Sequence, residues 1–295
     1  MNRFVRKQLK QVNRRFETWM EKRSREVEKP ENVDEFPDIP YRDTGLMCHR
    51  VDVFRPKAAA EKLPVVVNFH GGGLLLCTRK VNRPFCWELA RRGFLVFCVD
   101  YPLVPDFDIP GILRDAARGM DRVAELLKEF GGDPERVYLA GDSAGAMIGI
   151  YELAMQRNPE IGESLNMQPS SLKVRAAALI SGMFYTARMD SVGGFLRQDF
   201  YGSAWRRHPF CPYMNPDVPE VAGNLPPLCL VTSKLDNLRG YTLKFAKGLK
   251  TCRKDYILVD KPAHAAMTHD FVIIKPEGEQ AQQVINGICE FFQNT

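Results

Sequence analysis

The chain is 295 residues long, beyond the ~150 residues of a usual single domain but within the size that α/β proteins reach around one core. Its composition, 45 % hydrophobic and 26 % charged with a formal net charge of +5, excludes a disordered or fibrous chain and does not by itself argue for nucleic acid. The longest apolar runs fall short of the ~18 residues that span a bilayer, and the eight cysteines are scattered without a C-x-x-C pair, so a disulfide framework and a zinc site are both excluded and a reducing cytoplasm is the default location.

Residues 2–29 read as a basic amphipathic helix. Phe4, Leu9, Val12, Phe16 and Trp19 share one face, while Arg3, Arg6, Lys7 and Lys10 cover the other. Such a helix suits either a membrane surface or the body of the protein, and the aromatic stripe running into a more acidic stretch favours packing on the protein. The proline-bearing segment 30–40 reads as an extended connector. Residues 49–55, H-R-V-D-V-F-R, alternate apolar and polar side chains and predict a half-exposed antiparallel edge strand. Buried strands are predicted at 65–69, 93–99, 137–142, 174–180, 228–232 and 256–259, with helices near 81–91, 112–130, 144–156, 241–250 and 278–292. This β-α-β alternation implies a mostly parallel sheet with helices on both faces, in which sites form at the carboxyl ends of strands.

Three such strand ends carry chemistry. The apolar run V-Y-L-A stops on Gly141-Asp142-Ser143-Ala144-Gly145, a G-x-S-x-G frame whose small residues let a strand turn sharply into a helix and expose a serine hydroxyl. Acyl transfer through that serine passes an oxyanion, and the strand at 65–69 ends in His70-Gly71-Gly72-Gly73, where backbone N–H groups free of side chains can hold one. A phosphate-cradling loop fits less well, because neither a Walker lysine pattern nor a spaced G-x-G-x-x-G follows. An acid and a histidine are expected next, in that order. Asp236 follows the strand at 228–232, with Asp260 as a competitor, and His264 and His269 both lie in the loop after 256–259. Spacing leaves the two histidines equal, and Asp236 is also placed to cap the following helix.

Taken in order, these motifs resemble the hormone-sensitive-lipase-like branch of the α/β-hydrolase superfamily, the bacterial carboxylesterases related to arylacetamide deacetylase. The likeness covers roughly residues 45–292: His70 to Gly73 match H-G-G-G, Asp100-Tyr101 with Leu103 and Pro105 echo D-Y-x-L-x-P, Gly141 to Gly145 are G-D-S-A-G, Asp236 to Arg239 match D-x-L-R, and His269-Asp270-Phe271 match H-G-F with one substitution. The resemblance implies an α/β-hydrolase fold, Ser143 as nucleophile, His269 as general base and Asp236 as its partner. It further implies oxyanion donors on the backbone of Gly72, Gly73 and Ala144, a substrate pocket including Leu74, Asp142, Phe184 and Tyr185, and no metal or organic cofactor. Cap elements are expected from 1–43 and about 184–221, a segment with seven aromatic residues from Phe184 to Phe210. Leu74 to Cys77, Pro102 and Ala146 depart from the branch's pattern and bear on the acyl pocket. The function implied is a cytoplasmic serine carboxylesterase for small esters with short to medium acyl chains, with homodimerisation open and membrane contact not favoured. The alternatives are a non-catalytic small-molecule receptor on the same fold, against which the retained His269 argues, and a membrane-surface lipase recruited by the N-terminal helix.

Overall fold

In the computed structural model, the described residues are 7, 8, 11, 12, 14, 15, 18, 22, 27–58, 62–190 and 192–295, the side chains of 193–195 excepted. The amphipathic helix expected over 2–29 lies mostly outside them, although the described positions from 7 to 22 are helical.

One eight-stranded sheet organises the chain. Its strands are β1 (Val33–Pro40), β2 (Arg50–Pro56), β3 (Leu63–Phe69), β4 (Leu95–Val99), β5 (Gly132–Asp142), β6 (Ala176–Ile180), β7 (Leu228–Ser233) and β8 (Tyr256–Lys261), in the spatial order β1-β2-β4-β3-β5-β6-β7-β8. The β1–β2 and β2–β4 pairs are antiparallel, and every pairing from β4 to β8 is parallel. The helices are α1 (Arg83–Ala90), α2 (Ile109–Phe130), α3 (Ala144–Met155), α4 (Pro159–Ser164), α5 (Gly193–Tyr201), α6 (Pro219–Ala222), α7 (Arg239–Thr251), α8 (Phe271–Ile274) and α9 (Glu279–Gln293).

Strand alternation divides the apolar residues between two cores. Val65, Val67 and Phe69 of β3 join the core under α2 and α3, whereas Val66 joins the one under α1 and α9. The central strands are therefore buried on both faces, as parallel strands covered by crossover helices must be. Helix α2 is delimited by its caps: Asp108 accepts a hydrogen bond from Gly111 N at 2.9 Å, and Gly131 ends it at φ 76.

The ends of the sheet differ from the sequence expectation. Residues 33–40 form strand β1 rather than a connector, so β2 is not an edge, and its Val51, Asp52, Val53 and Phe54 are all buried. Prolines are tolerated there because β1 is the edge, and the register shifts between Phe36 and Ile39, around Pro37. Asp52 enters the interior because its carboxylate accepts from Arg79 Nε at 2.7 Å and Asp38 N at 2.8 Å. Conversely β8, expected to be buried, is the opposite edge, with Ile257 44 % and Leu258 38 % exposed. Among its described residues, the segment 184–221 contains α5, α6 and two short 3₁₀ turns but no strand. Its Phe200, Tyr201 and Phe210 are buried, with Phe210 edge-on to Tyr151 of α3 at 5.0 Å. Among the described residues no helix is long and apolar enough to cross a membrane.

Candidate active site

The strand-to-helix corner between β5 and α3 is built by close backbone approach. A Cβ on Gly141 would lie 2.7 Å from the carbonyl carbon and oxygen of Gly145, and one on Gly145 would lie 2.1 Å from Phe69 O. Neither position therefore accepts a side chain without moving backbone. Between them Ser143 is held at φ 47, ψ −110, a sparsely populated conformation that costs of order 1–3 kcal/mol and persists only where the surroundings impose it. Those surroundings include the bonds from Ser143 N to Ile180 O at 2.9 Å and from Met183 N to Ser143 O at 2.8 Å.

Two loops bring partners to the hydroxyl. After β7 the chain turns at Asp236, and after β8 it runs to His269. The two loops are joined by a bridge between Leu235 and Thr268 and by the Ser233 hydroxyl donating to Met267 O. His269 Nε2 lies 3.2 Å from Ser143 Oγ, and its Nδ1 lies 2.9 Å from Asp236 Oδ1. Asp236 also accepts from Thr232 Oγ1 and Leu238 N, each at 2.8 Å. Burial opposes its ionisation, but the His269 and Leu238 hydrogen bonds prevail and hold its carboxyl below the usual range. For His269, burial alone would lower the pKa, whereas the hydrogen bonds to Asp236 and Asp270 outweigh it and lift the ring to about 10. The other histidine of the loop, His264, is exposed, and its ring accepts from Ala266 N at 3.2 Å. Asp260 is engaged elsewhere, receiving Arg239 Nη2 at 2.6 Å.

The glycine loop after β3 lies beside this group. A Cβ on Gly71 would come within 2.3 Å of Asp142 Oδ2, and Gly72, at φ 110, would place one 2.1 Å from Leu76 O. Gly73 and Leu74 follow at φ 65 each. Ala144 supplies the first amide of α3. His70 does not face the serine: its Nε2 meets Asp100 Oδ1 at 2.9 Å, and its ring stacks on Tyr101 at 4.3 Å. It anchors the loop from behind.

The four side chains expected to line a pocket are all buried. Leu74 belongs to the core, Phe184 packs on Phe245 at 4.7 Å, and Tyr185 meets Tyr241 edge-on at 5.2 Å. Asp142 accepts from Asn82 Nδ2 at 2.6 Å, and burial, followed by the nearby Asp270, pushes its carboxyl well above the usual range. Three contributors are not identified as site residues from the sequence pattern. Asn82 ties Asp142 to Asn68 Oδ1. Arg79, buried, bridges Asp52 and Asp100 through Nε and Nη1 at 2.7 and 2.8 Å. Asp270, visible only as the substitution in H-G-F, places Oδ2 3.1 Å from His269 Nε2.

Comparison with known proteins agrees with this architecture. Carboxylesterase NlhH of Mycobacterium tuberculosis is 28 % identical over 249 residues, which cover 80 % of this chain and 76 % of the relative. A probable isoprenylcysteine alpha-carbonyl methylesterase of Arabidopsis thaliana is 29 % identical over 193 residues, 62 % of this chain but only 40 % of the plant protein. The chain thus spans well under half of that relative's length. Among solved structures, a phosphonate-inhibited esterase B from Lactobacillus rhamnosis superposes with a TM-score of 0.91 at 20 % identity, covering 100 % of this chain and 96 % of that one. At that identity the likeness speaks for the fold. A family model described as alpha/beta hydrolase fold matches residues 66–273, a span that runs from β3 through the corner at Ser143 to α8, and the chain belongs to that family, in the hormone-sensitive-lipase-like branch its motifs resemble.

Proposed function

We propose that the protein is a serine carboxylesterase that hydrolyses small esters with short to medium acyl chains through an acyl-enzyme. The observation that carries this reading is the imidazole of His269, set between Ser143 Oγ at 3.2 Å and Asp236 Oδ1 at 2.9 Å. In its neutral form the ring takes the Ser143 proton at Nε2 as Oγ attacks the ester carbonyl, while Asp236 fixes the tautomer by accepting from Nδ1–H and stabilises the imidazolium that forms. The oxyanion is received by the backbone N–H groups of Gly72, Gly73 and Ala144, each worth roughly 3 kcal/mol of transition-state stabilisation. The imidazolium then protonates the departing alcohol. Water, activated by the same ring, releases the acid and restores Ser143.

Three further elements belong to this proposal. Segment 184–221, with its helices and aromatic side chains packed toward α3, acts as a cap over the acyl cleft, joined by the part of 1–43 that precedes β1, since residues 33–40 belong to the sheet. Leu74, Asp142, Phe184 and Tyr185 shape that cleft, Phe184 and Tyr185 from within the core. The setting is a reducing cytoplasm, in keeping with eight free cysteines. The ester-hydrolase class draws support from the carboxylesterase relative, 28 % identical over most of both chains, and the size of the substrate rests on the family resemblance. The test is hydrolysis of p-nitrophenyl esters of graded chain length by the wild type and Ser143→Ala. The reading expects turnover that peaks at short to medium chains and is lost in the variant. Undiminished turnover in Ser143→Ala would overturn it.

A further inference from the structure

One carboxylate beside the base takes no part in the steps above. Asp270 stands at φ 53, ψ 29, a left-handed conformation that glycine adopts at less cost. Its backbone N–H donates to Ser181 Oγ at 3.2 Å, which ties the turn to the end of β6. Its Oδ2 reaches His269 Nε2 at 3.1 Å, the same nitrogen that faces Ser143 Oγ at 3.2 Å, and its Oδ1 is buried without a hydrogen-bond partner. The charged and titratable groups facing the imidazole are therefore Asp236 from the loop after β7, Asp270 from its own loop, and Asp142 and Ser143 from the end of β5. A ring with a carboxylate on each nitrogen is stabilised as imidazolium. An imidazolium has no lone pair with which to accept the serine proton.

We infer that Asp270 is a positioning residue that competes with Ser143 for His269 Nε2 and so confines general-base action to a higher pH than a neutral residue at that place would. The proton balance is simple. At the acid end the Nε2 proton is shared between His269 and the Asp270 carboxylate, and Ser143 keeps its own. When that proton leaves for solvent, the Nε2 lone pair becomes free to take the Ser143 proton during attack. Removing the Asp270 charge lets the ring release its proton at a lower pH, because one of the two carboxylates that favoured the imidazolium is gone.

The kinetic side of this inference rests on the proposed esterase reading, but the titration of the ring does not. The experiment compares the full chain with Asp270→Asn, which keeps the size and tolerates the left-handed turn, and Asp270→Gly, which removes the side chain. Profiles of kcat/KM against pH with p-nitrophenyl butyrate are expected to show the acid limb displaced downward by one pH unit or more in both variants, a gain of about tenfold at any pH on the limb. Imidazole NMR titration, with the His269 resonance assigned by its loss in His269→Gln, should move the same way. A limb and a resonance that stay in place would overturn the inference, as would a shift in Asp270→Gly alone, since charge would then not be the cause. A merely structural role lowers thermal stability and moves neither readout, and it too would overturn the inference. A resonance that shifts in a protein hydrolysing no ester supports Asp270's hold on the ring and removes the esterase reading instead.

Discussion

Replacing Gly145 by alanine adds one methyl group where the backbones of β3 and α3 touch. The new Cβ would lie 2.1 Å from Phe69 O, 2.6 Å from Phe69 C and 2.7 Å from His70 O. All three are backbone atoms, so no rotamer relieves the clash. Restoring a contact of 3.4 Å to Phe69 O requires a displacement of about 1.3 Å, the difference between 3.4 and 2.1 Å. That displacement falls two residues from Ser143 on one side and at the root of the Gly71 to Gly73 loop on the other. Misplacement by about 1 Å at a reacting group costs on the order of 10²-fold in rate, and overpacking of this kind destabilises by roughly 1–3 kcal/mol. Kinetics with p-nitrophenyl butyrate and a thermal melt read the two effects separately. The control is Gly149→Ala on the same helix, where the nearest atoms to the Cβ would be side-chain carbons of Leu139, Cδ2 at 2.6 Å, rather than backbone. It should retain activity while Gly145→Ala loses it. A kcat/KM for Gly145→Ala within about threefold of the wild type would refute the claim that this corner is held by backbone contact.

Three other expectations follow from particular residues. His269→Ala should reduce kcat/KM by roughly 10³-fold or more, whereas His264→Ala, altering an exposed side chain, should leave it near the wild-type value; a larger loss from the second would transfer the base to His264. Arg79→Met leaves Asp52 and Asp100, 3 % and 1 % exposed, without their shared cation and should destabilise by about 3–5 kcal/mol in chemical denaturation; a cost under about 1 kcal/mol would show that the two acids are neutral in the folded protein. Glu152 of α3 is fully buried with neither oxygen hydrogen-bonded, and burial raises its carboxyl well above the usual range. A raised folded-state value means that its contribution is fully present below the unfolded value of about 4.3 and is lost as pH rises above it. Glu152→Gln should therefore gain stability over the wild type progressively from pH 5 to pH 8, and a difference independent of pH would contradict this assignment.

What the sequence revealed and what it hid divide along physical lines. The parallel strands were legible because burial on both faces leaves continuous apolar runs, and the corner at Ser143 because close backbone approach demands Gly141 and Gly145 at fixed offsets. The edges were not. Strand β1 carries Pro37 and Pro40 and reads as a connector, since an edge needs only half its amides and tolerates what a central strand cannot. Strand β8 is apolar enough to pass for a buried one, although nothing among the described residues covers its outer edge. Polar side chains that act across long sequence separations were equally silent. Arg79 and Asn82 lie in the short 3₁₀ turn that leads into α1, and only folding brings them to Asp52, Asp100 and Asp142. Asp270 appeared as a single departure from a motif, and its contact with His269 Nε2 needed coordinates.

The hydroxyl held at the β5–α3 corner is the proposed nucleophile. The most direct test of that assignment is to treat the protein with a fluorophosphonate at intervals, follow residual ester hydrolysis, and locate the adduct by peptide mass spectrometry. The expected result is one phosphonyl group on Ser143, growing at the rate at which hydrolysis disappears, and no adduct on Ser143→Ala with its fold intact. An adduct on another residue, or hydrolysis that continues while Ser143 is fully modified, would contradict it.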